Sequence, residues 1–325
     1  MGHRWQLRAE PPAGLVRPVP VDPTGVAGPT RPETRRLAWR RAAPGFWVPS
    51  CVDSHRLEQR ILEASCRLPD TGAVSGWAAL RMAGGNLFDG SSDGRDELPV
   101  DLVATPPADV RAGPGVRRHR AALAATEVVD RYGVPCTTVE RALLDVAAWT
   151  SDLREVVVSF DLALSAELTD RRRLASYLGT RPPGTRGLAR AREAAALAED
   201  RVLSPKETPL RLTWLLDLGL PPVRCNWPVA DGTGRRIGRP DLICEELGVI
   251  GEYDGEDHRS RARQRHDVTT EDAYRNAGLE CFRIVGADLE DPRVVQRRML
   301  HAVHRSAATT APRTFLLAAN PGRLC

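Results

Sequence analysis

Apolar residues change their spacing twice along the chain. Over the first 29 residues they follow neither the helical nor the strand period, and Pro and Gly crowd the segment, so residues 1–29 read as a loose leader. TRPETRRLAWRR (30–41) then has helical spacing with Thr30 placed as an N-cap, and GFWVPS (45–50) reads as a short aromatic strand. Farther on, apolar positions recur at three and four in RLEQRILEAS, WAALRMAGG, TTVERALLDVAAW, LREVVVSFDLALSAEL and RGLARAREAAALAED. That spacing predicts a mainly helical domain over 30–199, interrupted by the strand-like LPVDLVAT and GVRRHR. Thr137 and Glu140 fit a capping box opening the central helix, and Asp130, Asp145 and Asp161 read as caps or solvated faces.

Near residue 200 the pattern changes again. SPKETPLRLTWLLDLG predicts a helix begun by Ser204 and Pro205 and ended by Gly219. PPVRCNWPV and RRIGRPDLICEE read as two strands joined by the turn ADGTG, and LGVIGEYD as a third. A basic helix over 259–277, the strand LECFRIV and a helix over 290–306 follow, and 307–325 reads as a tail. The class expected is α/β (α+β): a helical N-terminal domain, then a domain over 200–306 ordered helix, three strands, helix, strand, helix.

Composition narrows the setting. The 325 residues suffice for two or three domains with hydrophobic cores. Seven scattered cysteines, odd in number and without a Cys-x-x-Cys pair, argue for reduced thiols in the cytoplasm and against a zinc ribbon or a disulfide framework. No apolar run is long enough for a signal peptide or a membrane span. Lys206 is the sole lysine among 46 basic residues, a bias that a GC-rich genome explains as readily as phosphate contact does.

The candidate chemistry lies in VIGEYDGEDHR (249–259). Alternate residues of a strand share a face, so Glu252 and Asp254 point the same way, with Asp241 on the neighbouring strand. Carboxylates brought together there cannot all stay ionised unless a cation neutralises them, and an all-oxygen set favours magnesium or manganese. Glu207 could add an acid from the preceding helix, or it could close a capping box with Ser204. Asp254 before Gly255 is also an ordinary turn pair. Arg259, Arg261, Arg263 and Arg265 open the basic helix, either as a solvated face or as phosphate contacts beside the acids.

RPDLICEELGVIGEYDGEDHR and DAYRNAGLECFRIVGADL resemble the PD-(D/E)XK nuclease superfamily, in the branch of bacterial proteins related to very-short-patch mismatch-repair endonucleases. The resemblance covers 200–305 and implies a restriction-endonuclease-like αβββαβ core, with Asp241 and Glu252 as ligands of Mg²⁺ or Mn²⁺ and Glu207 as an auxiliary acid. The superfamily's usual lysine is Asp254 here; His258, Arg259 or Lys206 could supply the proton or positive charge instead. More weakly, GPTRPETRRLAWRRAAPGFWVP, VSGWAALRMAGG and GVPCTTVERALLDVA resemble AbiEi-type antitoxin and regulator proteins, which implies a winged-helix remnant before a helical domain.

The function expected is a metal-dependent DNA endonuclease or nickase, with DNA as partner and no membrane association. The alternative is a non-catalytic DNA-binding regulator whose nuclease fold is inactive. A toxin partner and a homodimer are both left open.

Overall fold

The computed structural model describes residues 12–92, 96–254 and 261–319, with side chains left out for Ser92 and for 261–268. The chain folds as two compact units, Met1–Leu197 and Ala198–Cys325. Both mix helices with sheets. Among the described residues no helix is long and apolar enough to cross a membrane, and the six cysteines are free.

The first unit opens with β1 (Val19–Pro20), β2 (Trp39–Ala43) and β3 (Phe46–Pro49), ordered β1-β3-β2. The helix expected over 30–41 is not formed. Glu33 accepts hydrogen bonds from the Thr30 backbone N–H and hydroxyl at 2.8 and 2.7 Å, closing a single 3₁₀ turn at Glu33–Arg35, and the chain then turns into β2. The helix-plus-wing reading therefore gives way to a three-stranded antiparallel sheet.

Helix α1 (Leu57–Ser65) leads to β4 (Gly72–Val74), α2 (Gly76–Met82), the ribbon β5 (Ser91–Ser92) and β6 (Asp96–Glu97), and then β7 (Val100–Ala104), β8 (Val116–Arg120), β9 (Val128–Arg131) and β10 (Val134–Thr137). Four helices close the unit: α3 (Val139–Trp149), α4 (Leu153–Ser165), α5 (Arg171–Gly179) and α6 (Leu188–Leu197). The segment expected to be mainly helical thus carries a five-stranded mixed sheet, β8-β7-β4-β10-β9. LPVDLVAT and GVRRHR supply two of its strands as expected, whereas β4 has only three residues and no room to display a period. Thr137 and Glu140 do not cap α3: the Thr137 hydroxyl is 3.0 Å from that of Ser75, and Glu140 accepts from Thr169 at 2.6 Å. Asp145 and Asp161 are buried rather than solvated, while Asp130 accepts from the Gly133 N–H in a turn.

In the second unit, α7 (Glu207–Leu212) runs into a π-helical turn at Thr213–Asp217. Each expected strand of the long hairpin is broken in two. Residues 221–230 give β11 (Arg224–Cys225) and β12 (Val229–Ala230), separated at Asn226, whose φ of 49° is left-handed. Residues 235–246 give β13 (Arg236–Gly238) and β14 (Leu242–Cys244), separated by Arg239 and Pro240. β15 (Val249–Asp254), α8 (Arg261–Asn276), β16 (Glu280–Val285), α9 (Pro292–Ala308) and β17 (Leu316–Leu317) complete the unit. The four-stranded sheet is ordered β11-β14-β15-β16 and the three-stranded sheet β13-β12-β17, so the region read as a tail contributes a strand.

Period-2 alternation gives the four-stranded sheet two faces. Leu242, Cys244, Val249, Phe282 and Ile284 pack with Trp214 and with Met299 and Ala302 of α9. Ile243 and Ile250 face the other way, with Val229, Tyr274 and Leu279. Gly251 is needed between them, because a Cβ there would lie 2.2 Å from the Phe282 ring on the neighbouring strand.

Candidate metal centre

Register decides which acids meet. β14 and β15 are antiparallel with Leu242 opposite Gly251, so Asp241, one residue before Leu242, comes opposite Glu252. Ile243 and Ile250 share the Tyr274 face, and by alternation Asp241, Glu252 and Asp254 belong to that face too. One Asp241 oxygen accepts the Tyr253 N–H at 2.6 Å, and its backbone carbonyl accepts the Asn226 N–H at 3.1 Å. Asn226 ties in Glu207: its side-chain amide donates to Glu207 Oε2 at 2.6 Å, and the Leu203 N–H donates to the same oxygen at 3.1 Å. Glu207 is buried, and its carboxylate bonds across to another element instead of closing a box with the Ser204 N–H.

The electrostatics follow from this crowding. Burial, and then the charge of Asp241, push Glu207 well above the usual carboxylate range, against the Leu203 and Asn226 donors and Arg239. Burial also raises Asp241, to about 7; the Tyr253 N–H and Arg239 oppose the rise and Glu252 adds to it. Among the described residues Asp241 has no ion pair. Glu252 does: β15 and β16 are parallel with Glu252 beside Arg283, whose guanidinium lies 3.4 Å from Glu252 and 4.0 Å from Glu271. Glu252, Glu271, Arg283, Cys281 and Tyr274 line a small cleft over this part of the sheet.

The structure therefore brings Glu207, Asp241 and Glu252 into one electrostatic cluster. Asp254 ends β15, opposite Val285 in the register. His258 and Arg259 lie outside the described residues, as do the side chains of Arg261, Arg263 and Arg265, whose backbone opens α8. Lys206 is partly buried and donates its N–H to the Ser204 hydroxyl at 3.3 Å.

Sequence reasoning passes over Asn226, Arg239, Tyr274 and Arg283. Arg283 alternates with Cys281 in ECFRIV and so announces a polar position on the Tyr274 face, but its pairing with Glu252 depends on a parallel register that a single strand does not encode. Asn226 could have been found as a residue type tolerant of left-handed backbone between two short apolar runs.

The donor set suits a hard divalent cation: the carboxylates are oxygen-only and like-charged, and Asp241 has no ion pair among the described residues, Arg239 acting on it only as a nearby charge. The fit is to the Asp241–Glu252 pair. Among the described residues no group of three or more His, Cys, Asp or Glu side chains is arranged to hold a metal ion. Comparison with known proteins yields no match to a family model, a curated protein or a solved structure.

Proposed function

We propose that the second unit is a metal-dependent DNA endonuclease or nickase on a restriction-endonuclease-like core, with Mg²⁺ or Mn²⁺ held by Asp241 and Glu252. The observation that carries the reading is Asp241 itself: a crowded carboxylate raised by burial and by Glu252, answered by one backbone N–H and no ion pair among the described residues. A purely structural network would be expected to pair Asp241 directly with a cation. The order α7, β11, β14, β15, α8, β16 also agrees with the helix, three strands, helix and strand that the resemblance implies.

A bound cation would polarise the scissile phosphate and lower the pKa of a coordinated water. The chain's own residues do the rest. The Tyr253 N–H fixes one Asp241 oxygen, and the Leu203 N–H and Asn226 amide fix Glu207 Oε2, leaving the other Glu207 oxygen to orient a water or hold a proton. Glu252 would leave its Arg283 partner to hold the cation, and the guanidinium so freed could receive phosphate charge.

One observation favours a second reading, a DNA-binding regulator with an inactive nuclease fold: Glu252 is engaged by Arg283, and Asp254 stands where a lysine would stabilise developing charge. Nicking of supercoiled plasmid by purified protein with Mg²⁺, with Mn²⁺ and with EDTA separates the two. Metal-dependent nicking that falls about 100-fold or more in both Asp241→Ala and Glu252→Ala supports the enzyme. An inert wild type whose calorimetry shows no Mg²⁺ or Mn²⁺ binding leaves the regulator.

A further inference from the structure

A group of arginines near the acids is not used by the chemistry proposed above. Arg236 on β13 and Arg239 just after it are both exposed, and neither has an ion pair among the described residues. β12 and β13 are antiparallel with Val229 opposite Gly238, and the Asn226 N–H donates to the Asp241 carbonyl, so Arg239 lies across from the Trp227 end of β12. Arg201 and Arg224 each stack on Trp227, at 5.2 and 4.7 Å from the ring centroid; Arg224 also reaches Glu245 at 3.5 Å and keeps about half its side chain in solvent. Arg236 and Arg239 bring like charge together without an ion pair among the described residues, at a free-energy cost that a polyanion lying across them would recover.

Hydrogen bonds tie together the framework beneath this group. The Trp227 indole N–H donates to the Ala318 carbonyl at 2.9 Å, holding the ring on which two guanidinium planes rest. Asn226 donates at 2.8 Å to the Arg201 carbonyl and at 2.6 Å to Glu207, so one side chain fixes both an arginine and an acid of the candidate centre. Gly238 lets β13 approach closely: a Cβ there would sit 2.3 Å from the Tyr274 hydroxyl oxygen. Arg236 and Arg239 flank that contact.

We propose that Arg201, Arg236 and Arg239, with Arg224 across Trp227, are the seat for a duplex DNA backbone and deliver a phosphodiester to Glu207 and Asp241. Guanidinium forks match phosphate oxygens in pairs, and their stacking on Trp227 limits the freedom lost on binding. The inference rests on the nucleic-acid reading above, but it names arginines other than those of α8.

The test is equilibrium binding of a fluorescently labelled duplex of about 20 base pairs, followed by anisotropy in EDTA over a series of salt concentrations. Wild type is compared with Arg236→Gln/Arg239→Gln, with the same positions changed to Lys, with Arg201→Gln, and with Arg297→Gln on α9 as a control. Expected is roughly tenfold weaker binding for the double Gln variant, with the slope of log K against log salt shallower by about two; Arg201→Gln should flatten it by about one. The Lys pair should keep most of the wild-type slope, which separates lost charge from misfolding. Unchanged affinity and slope in the Gln variants, an equal loss in Arg297→Gln, or no binding of the duplex by wild type overturns the proposal. Because metal is withheld, a protein that binds through these arginines yet never nicks plasmid defeats only the nuclease reading, and one that nicks without needing them defeats only this one.

Discussion

Buried acids are handled in opposite ways in the two units. In the first, Glu58 accepts from Arg81 at 2.7 Å, Glu63 is gripped twice by Arg40 at 2.6 and 2.7 Å, and Asp101 receives Arg117 and His119. Glu127 binds the Tyr177 hydroxyl together with Arg141 and Arg181. Burial pushes Glu58 and Glu127 up, yet their donors outweigh it and both end below the usual carboxylate range. Burial does prevail at Asp145, against an Arg141 guanidinium at 3.0 Å and the Ser75 hydroxyl at 2.7 Å. In the second unit Glu207 and Asp241 face each other with amide donors alone among their direct hydrogen bonds. Satisfied acids hold a fold together, whereas acids left in mutual repulsion are the kind that cluster at functional sites.

The largest expected effect breaks the satisfied side. Arg141→Ala removes one guanidinium from both Glu127 and Asp145, leaving charge in the core, and should cost about 3–5 kcal/mol of stability in urea unfolding of the full chain. Asp241→Asn should act in the opposite direction. Asparagine keeps a carbonyl oxygen for the Tyr253 N–H and removes the repulsion, so at pH 8 in EDTA it should stabilise by about 1–3 kcal/mol. A loss of stability there would mean that Asp241 has a cationic partner in solution, and the contrast between the units would fail.

The same contrast predicts a pH dependence. The Asp241 pKa is raised from an unfolded value near 4 to about 7, so its contribution to stability is complete below the unfolded value and is lost as pH rises through about 7. Glu207, raised as well, adds in the same direction. Glu58 and Glu127 are depressed, so their contribution is present above the usual carboxylate pKa and is lost only in acid. Metal-free protein should therefore melt a few degrees lower at pH 8 than at pH 6, and Asp241→Asn should flatten the trend. Wild-type melting curves that coincide at the two pH values would break it.

How much of this could be read in the sequence follows from the range of the forces involved. VIGEYD announced β15 and the common face of Glu252 and Asp254 because alternation is local, and SPKETPLRLTWLLDLG announced the helix carrying Glu207 for the same reason. The long hairpin divided where Asn226 turns left-handed and Pro240 lacks an N–H, which sent its halves into two sheets; partner choice of that kind is a tertiary decision. The five-stranded sheet of the first unit was largely hidden because helical spacing dominates the surrounding residues and β4 is too short to show a period. TRPETRRLAWRR misled because Thr30 and Glu33, which resemble a helix start, bond to each other around a single turn.

The smallest expected effect concerns Tyr274. Its side chain is buried at 1% exposure, and its hydroxyl has no hydrogen-bond partner among the described residues, whereas the Tyr177 hydroxyl of the first unit donates to Glu127 at 2.5 Å. Removing a hydroxyl that makes no bond in the folded state recovers its desolvation cost, while removing one that serves a carboxylate loses a charge-assisted bond. Tyr274→Phe should thus be neutral or stabilising by up to about 1 kcal/mol, and Tyr177→Phe should destabilise by about 1–3 kcal/mol, both by urea unfolding in EDTA. Equal losses in the two variants would mean that the Tyr274 hydroxyl is bonded in solution, and Glu252 and Asp241, whose charges already bear on it, are the acids to examine as its acceptor.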